Sequence, residues 1–269
     1  MTEQSTAPTT GTATRAEVSL AGRRLSYVDF GGPGRPLVAL HGHLSEGATF
    51  GGLAAALGTD WRVIAPDQRG QGESERAADY TREGYLADLE ALLDHLGLAE
   101  VVLVGHSLGA VNAYQYAARR PERIRALVNV EGPVEIGLDG SHPLAFLLGL
   151  AYKAPTREEL VEKLGPAAPF FADRLRRNPD GGWRLPFHPR DMYDSEENVH
   201  GDHWADWTAT SCPALLVHGT SGVIPAEQVR GMVERRPGTA AVELAGDHLV
   251  HLGAAEAFGA EVRGFLAGL

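Results

Sequence analysis

The chain of 269 residues is poor in cysteine and has no long hydrophobic run. Its single cysteine, Cys212, cannot form an internal disulfide or build a cysteine-rich metal site. The longest apolar stretch, near Pro143–Tyr152, is far shorter than the roughly 20 residues that span a bilayer. The polar, threonine-rich N-terminus lacks the apolar segment of a secretory signal. These absences predict a cytoplasmic protein with no membrane partner.

Positive charge is also scarce, because 24 Lys and Arg stand against 35 Asp and Glu, a net charge of −11 at pH 7. A nucleic-acid-binding protein needs a basic face, so no nucleic-acid partner is expected. Hydrophobic residues make up 43% and charged residues 22% of the chain, values typical of a globular protein. Residues 1–15, which are polar, are predicted to form a disordered tail.

Beyond the tail, short apolar runs alternate with segments of helical periodicity. Runs that are continuously apolar are typical of parallel strands buried on both faces. The alternation therefore predicts an α/β fold with a mostly parallel, doubly wound sheet. The expected strands are Glu17–Leu20, Arg24–Phe30, Pro36–Leu40, Trp61–Ala65, Val101–Val104, Ile124–Val130, Ala214–Val217 and Ala240–Leu244.

The alternation stops between residues 133 and 207. This segment has helical patches at Pro143–Tyr152, Arg157–Leu164 and Phe170–Arg177, together with several prolines and glycines, but no run that resembles a buried strand. We predict a helical lid here, inserted into a core that residues 16–132 and 208–269 form.

The clearest chemical signal is the motif Gly105-His106-Ser107-Leu108-Gly109. It follows an apolar strand directly and opens a helix that ends before Pro121. A Gly-x-Ser-x-Gly turn in this place holds the serine in a strained conformation at the edge of the sheet, where the helix N-terminus also points its N–H groups. Ser107 is therefore the candidate nucleophile, and an ordinary tight turn with a surface serine is the alternative.

A serine hydroxyl needs a general base to become a good nucleophile. Two histidines follow the last strand, in the segment Ala245-Gly-Asp-His-Leu-Val-His251. His248 falls in the loop at the same sheet edge as Ser107 and is the expected base. His251 lies at the start of the next helix and is the alternative.

Taken together, these segments resemble the α/β-hydrolase superfamily over nearly the whole chain outside the tail. Three motifs carry the resemblance in order: His41-Gly42 after the third strand, Asp67–Ser74 after the fourth, and the serine turn after the fifth. The resemblance implies an oxyanion hole made by the backbone N–H groups of His43 and Leu108.

The same resemblance implies structural roles for Asp67 and Arg69, which are expected to pair and hold their loop.

The chain departs from the superfamily where most members carry the triad acid. After the strand Ala214–Val217, Gly222 occupies the position expected for Asp. The resemblance offers a second position at the end of the sixth strand, which a subgroup of haloalkane dehalogenases and some serine lactonases use. Glu131 stands there and is the expected acid. The alternatives are Glu135, another acid of the insertion, or no acid at all.

These residues predict a serine hydrolase that cleaves a carboxylic ester or lactone of a small-to-medium apolar substrate through an acyl-enzyme. Serine as nucleophile argues against the epoxide-hydrolase and dehalogenase branches, whose covalent intermediates need a carboxylate. Amide or peptide hydrolysis is the second interpretation. A ligand-binding or lyase-type role on the same scaffold is the third.

Several side chains of the insertion are candidates for substrate binding: His203, Trp204, Phe146 and Trp183. His200 and His203 are poorly spaced for a metal site, because Gly201 between them disfavours a shared helical face. The chain has neither a Gly-x-Gly-x-x-Gly motif nor a phosphate loop. We therefore predict no metal, nucleotide or flavin cofactor, and the sequence does not indicate an oligomeric state.

Overall fold

The computed structural model of the protein describes residues 13–20 and 22–269. Eight strands form its central sheet in the order β1-β2-β4-β3-β5-β6-β7-β8. Their bounds are Thr14–Leu20 (β1), Arg23–Asp29 (β2), Arg35–Leu40 (β3), Trp61–Pro66 (β4), Val101–His106 (β5), Ile124–Val130 (β6), Ala214–Gly219 (β7) and Thr239–Leu244 (β8).

Ten α-helices accompany the sheet in the part of the chain that the structure describes, and none of these is long and apolar enough to cross a membrane. Their bounds are Gly51–Leu57 (α1), Arg82–His95 (α2), Leu108–Arg119 (α3), Arg157–Leu164 (α4), Ala168–Phe171 (α5), Pro189–Glu197 (α6), Trp204–Ala209 (α7), Ala226–Glu234 (α8), Val250–Gly253 (α9) and Ala255–Ala267 (α10).

The sheet is mostly parallel, as the sequence predicts. Only β1 with β2 and β2 with β4 pair antiparallel, and the other neighbours run parallel. The apolar runs bury alternate residues on opposite faces. In β5, Val101 and Leu103 pack into one core cluster and Val102 and Val104 into the other.

The first strand begins earlier than predicted. Thr14 and Arg15, assigned by the sequence to the tail, pair with Asp29 and Val28 of β2. Polar, exposed residues at a sheet edge give no apolar alternation, so the pattern could not reveal this part of β1. Residues 1–12 of the predicted tail lie outside the described residues.

The insertion between β6 and β7 contains helices α4 to α7, and α4 matches the predicted patch Arg157–Leu164. It also contains two small sheets, which the prediction of a helical lid did not include. One sheet has three strands, Lys153–Ala154, Trp183–Arg184 and Arg176–Arg177. The other sheet has two strands, Glu135–Ile136 and Gly201–Asp202. Strands of two residues are too short to show the alternation of apolar and polar residues by which a strand is predicted. Helix α7 continues to Ala209, past the predicted boundary at residue 207.

The sheet topology explains why distant segments of the chain meet. The strands β3, β5, β6, β7 and β8 are neighbours and run parallel. Their carboxyl ends therefore lie along one edge, where ligands bind in open α/β sheets. The loops leaving this edge carry His43, Ser107, Glu131 and His248.

Candidate active site

Ser107 lies in the sharp turn between β5 and α3. Its backbone has φ +52° and ψ −119°, a conformation that is strained for a residue with a side chain. The Ser107 N–H donates to Val130 O at 2.9 Å, which ties the turn to β6. On the other side, a Cβ on Gly109 would lie 2.0 Å from Leu40 O. Only glycine therefore lets the helix start this close to β3.

Glu131 follows β6 directly and is fully buried, with a positive φ of 54°. Its carboxylate accepts hydrogen bonds from the Gly219 N–H at 2.7 Å and the Val223 N–H at 2.6 Å. It also accepts one from His248 Nδ1 at 3.3 Å. One side chain thus connects the carboxyl ends of three strands, β6, β7 and β8.

The Glu131 carboxyl group is ionised although it is buried. Burial by itself raises the pKa of a carboxyl group. Here the hydrogen bonds from His248, Val223 and Gly219 outweigh burial and lower the pKa of Glu131 below its ordinary value of 4.5. The site therefore holds a fixed negative charge against the imidazole of His248.

The structure explains why residue 222 is a glycine. A Cβ at Gly222 would lie 2.0 Å from Oε1 and 2.5 Å from Cδ of Glu131. The Glu131 carboxylate fills the space where a side chain at position 222 would begin. An acid after β6 and an acid at position 222 therefore exclude each other.

His248 lies in the loop after β8 with its side chain 33% exposed, in contrast to the fully covered Glu131. The His106 ring packs 4.7 Å from the His248 ring, centroid to centroid. A hydrogen bond of 2.8 Å also joins His106 Nε2 to the His248 carbonyl. Because His106 immediately precedes Ser107, these contacts hold His248 beside the serine turn.

The alternative base, His251, occupies a different environment. His251 is 5% exposed, and its ring lies 4.1 Å from the His106 ring, centroid to centroid, with the planes inclined at 36°. Within the described residues, neither of its ring nitrogens has a hydrogen-bond partner. Burial, followed by the nearby His248 and His41, lowers the pKa of His251 to about 4. The structure therefore pairs His248, and not His251, with the buried carboxylate.

The amides of His43 and Leu108 have no acceptor in the part of the chain that the structure describes. Leu108 is the first residue of α3, where helical N–H groups lack intrahelical partners. The His43 side chain points elsewhere, and its Nε2 makes a 2.9 Å hydrogen bond with Ser195 Oγ on α6. Burial of the ring, then the charge of Arg82, lowers the pKa of His43 to about 3.

Sequence analysis missed the polar group that supports His43. Ser195 Oγ also makes a 2.8 Å hydrogen bond with Tyr85 OH. The buried Arg82 donates to Ser195 O at 3.3 Å and to Asn112 Oδ1 at 2.7 Å. No local motif marks these residues, because they come from α2, α3 and α6 and meet only in the folded chain.

Two of the predicted substrate-binding residues join the insertion to the core. His203 uses both ring nitrogens, one with the Gln115 amide at 3.1 Å and the other with Val199 O at 2.8 Å. The Trp204 indole N–H donates to Glu135 at 2.5 Å, and its ring lies 4.1 Å from the Arg235 guanidinium. These contacts show what holds the two side chains in place, and their contact with substrate stays a prediction. The same hydrogen bond engages the Glu135 carboxylate with Trp204.

The other two candidates remain predictions for substrate contact. Phe146 lies on the short 3₁₀ turn Ala145–Gly149 and is 53% exposed. Trp183 lies in the three-stranded sheet of the insertion, and the Arg177 guanidinium lies 4.6 Å from its ring.

Asp67 and Arg69 hold their loop, but not by pairing with each other. Asp67 is buried and accepts the N–H groups of Gly47 at 2.7 Å and Glu73 at 3.0 Å, and it pairs with Arg15. Arg69 pairs instead with Asp88 at 2.9 Å. The long-range partner Arg15 could not be inferred from the motif.

The Gly222→Ala substitution tests the packing of the carboxylate. The added Cβ displaces Glu131 from two backbone N–H groups, so the free energy of unfolding should fall by about 2–4 kcal/mol. Urea denaturation at pH 7 measures this. The control is Gly264→Ala in α10, where a Cβ meets nothing within 4 Å and stability should stay equal or rise by up to about 1 kcal/mol. Equal stability of Gly222→Ala and the wild type would contradict the described carboxylate position.

The lowered pKa of Glu131 predicts that part of the free energy of unfolding depends on the ionisation of its carboxyl group. Because the folded pKa lies below the ordinary value of 4.5, this share is complete above about pH 4.5 and is lost as the pH falls through the folded pKa. Urea denaturation of the wild type and Glu131→Gln from pH 7 to pH 3 measures it. The wild type should be the more stable at pH 7, and the difference should shrink on acidification. A difference that does not change with pH would show that Glu131 is not ionised in the fold.

Comparison with known proteins places these residues in a family. The family model of the alpha/beta hydrolase fold matches residues 35–255. A 2-(acetamidomethylene)succinate hydrolase of Mesorhizobium japonicum is 26% identical over 82% of this chain and 84% of its own. The solved structure of E-2-(acetamidomethylene)succinate hydrolase superposes with a TM-score of 0.80 at 25% identity, covering 95% of this chain and 99% of that one.

A second relative matches over a shorter segment. The cis-3-alkyl-4-alkyloxetan-2-one decarboxylase of Shewanella oneidensis is 40% identical over 116 residues, which is 41% of this chain and 36% of that protein. The chain therefore spans about a third of this relative. The family model covers most of the chain, including the serine turn and both candidate partners. The protein belongs to the alpha/beta hydrolase fold family.

Proposed function

We propose that the protein is a serine hydrolase that cleaves a carboxylic ester or lactone of a small-to-medium apolar substrate through an acyl-enzyme. The observation that carries the proposal is the buried Glu131 carboxylate bonded to His248 Nδ1, at the same sheet edge as the strained Ser107 turn. A carboxylate on Nδ1 orients the imidazole and selects the tautomer whose Nε2 can accept a proton.

In the proposed reaction His248 accepts the proton of Ser107 as the hydroxyl oxygen attacks the substrate carbonyl carbon. The imidazolium that forms is stabilised by the Glu131 carboxylate, which stays ionised because its hydrogen bonds lower its pKa. His248 then returns the proton to the leaving alcohol. Water, activated by the same imidazole, hydrolyses the acyl-enzyme and releases the acid.

The tetrahedral intermediate needs donors for its negative oxygen. The amides of His43 and Leu108 have no acceptor among the described residues, and they follow β3 and Ser107 respectively. A donor of this kind contributes about 3–4 kcal/mol to stabilisation of the transition state. The hydrogen bond between the His43 ring and Ser195 Oγ supports this role, because it holds the loop that presents the His43 amide.

Apolar side chains beside the candidate site support an apolar substrate. Leu249, which follows His248, is 48% exposed, and Val223, whose amide binds Glu131, is 52% exposed. The two side chains supply exposed apolar surface on the loops that carry Glu131's partners. A substrate with an apolar acyl or alcohol part would cover them and gain about 25 cal/mol per Å² of buried apolar surface.

Amide hydrolysis is a second candidate. It is favoured by the likeness over most of the chain to the 2-(acetamidomethylene)succinate hydrolase, whose substrate name contains an acetamido group. The same three side chains would serve, with an amine in place of the alcohol as leaving group. Rates on matched p-nitrophenyl esters and p-nitroanilides distinguish the two candidates, since an amide hydrolase should turn over the anilide measurably and an ester hydrolase should turn over the ester alone.

Replacement of the nucleophile tests the proposal directly. Ser107→Ala should lower kcat on a p-nitrophenyl ester by about 10³–10⁶-fold with the fold intact, because the residual rate comes from binding and the oxyanion donors. A fluorophosphonate probe should label the wild type at Ser107, located by peptide mass spectrometry. Labelling without ester or amide turnover would instead point to a ligand-binding or lyase-type role, and absence of labelling would contradict an activated serine.

The acid is tested by a matched pair of substitutions. Glu131→Gln keeps the shape of the side chain but removes its charge, so kcat on the same ester should fall by at least about 10²-fold. Glu135→Gln alters an exposed residue that contacts Trp204 and should leave kcat within about twofold. If Glu131→Gln turned over at nearly the wild-type rate, or if Glu135→Gln were the slower enzyme, Glu131 would not be the acid.

A further inference from the structure

Three metal-ligating side chains converge in the insertion, and none of them belongs to the candidate active site. His142, Glu197 and His200 each offer one ligand atom, and these atoms all lie within 4.8 Å of one another. We propose that the three residues bind a divalent transition-metal ion of the Zn²⁺ type. The inference is independent of the proposed hydrolase chemistry.

The contacts within the cluster fit a cation better than a hydrogen-bonded group. His142 Nδ1 lies 3.0 Å from Glu197 Oε1, yet this buried nitrogen makes no aligned hydrogen bond in the described part of the chain. The rings of His142 and His200 lie 4.6 Å apart, inclined at 42°. The Tyr193 hydroxyl donates to Glu197 Oε1 at 3.1 Å and so helps to orient the carboxylate.

The donor set selects the class of metal. Two imidazole nitrogens and one carboxylate oxygen suit Zn²⁺ and related transition metals, whereas Mg²⁺ and Ca²⁺ prefer oxygen ligands alone. Zinc bonds of about 2.1 Å place tetrahedral ligand atoms about 3.4 Å apart. The cluster can reach this spacing by rotation of its side chains, all of which are half-buried or exposed. A water molecule would complete the coordination.

The backbone near the cluster leaves space for the His200 ring. Gly137 has φ +62°, and a Cβ there would lie 2.6 Å from the His200 ring. A side chain at position 137 would therefore push His200 out of the cluster. The neighbouring Glu196 accepts the Leu144 N–H at 2.9 Å, which holds the loop of His142 against the end of α6.

The three ligands come from two segments of the insertion, the loop that carries His142 and the stretch at the end of α6. His142 lies in the loop after Glu135–Ile136, Glu197 ends α6, and His200 precedes Gly201–Asp202. A metal ion would link these segments, and α6 also carries Ser195, which is hydrogen-bonded to His43. Metal binding should therefore stabilise the insertion and the helix that supports the loop after β3.

The experiment begins with full-length protein freed of metal by a chelator and then dialysed. Calorimetric titration with Zn²⁺ should give one ion per chain. At a free Zn²⁺ concentration of 100 times Kd, the melting temperature should rise by about 5–10 °C. Mg²⁺ at the same concentration should give no rise. Failure of Zn²⁺ to bind the wild type would overturn the proposal.

Single substitutions locate the ion. His142→Ala, His200→Ala and the milder Glu197→Gln should each weaken Zn²⁺ binding by about tenfold or more, with circular dichroism confirming that each variant folds. The matched control is His95→Ala, which removes an exposed histidine at the end of α2 and should not change the affinity. His248→Asn serves as a second control for binding at the catalytic imidazole. Unchanged binding in the three cluster variants, or its loss in His248→Asn alone, would overturn the proposal.

Discussion

The buried carboxylate of Glu131 is the interaction on which the rest of the site depends. It binds the backbone N–H of the last residue of β7, a backbone N–H of the turn that follows, and the imidazole that comes after β8. The backbone bonds balance the cost of burying the charge, and the charge in turn fixes the orientation of His248. The turn can approach only because Gly222 has no side chain where the carboxylate lies. One salt-bridged residue thus joins three strand ends into a rigid frame beside Ser107.

Electrostatics single out one imidazole among several. His41, His43, His106 and His251 surround the strand ends, and burial lowers the pKa of each of them. These rings are neutral near pH 7, so they add no positive charge that would oppose proton transfer. Among the imidazoles of residues 13–20 and 22–269, only that of His248 has the carboxylate of Glu131 against it. The fold therefore stabilises the positive charge at the place where the proposed reaction generates it.

The insertion packs on the core through the apolar side chains of one shared cluster, and polar contacts from α6 and from the residue that precedes α7 add to this packing. Ser195 binds the His43 ring, and His203 binds Gln115 of α3. These contacts link the insertion both to the loop after β3 and to the helix that begins at the serine turn. The proposed metal cluster lies at the end of the same α6. Helix α6 therefore connects the proposed metal cluster in the insertion with the loop of His43 at the sheet edge.

The sequence by itself determined the parallel sheet and the serine turn, because these depend on residues that are neighbours along the chain. The apolar runs, the glycines flanking Ser107 and the missing acid at position 222 are all visible as local patterns. The tertiary structure alone decided which carboxyl group meets His248, since the direction of Glu131 and Glu135 follows from packing after β6. It also decided that His203 and Trp204 bind core helices and that His200 meets His142. Contacts between segments far apart in sequence leave no local periodicity, so only the folded chain brings them together.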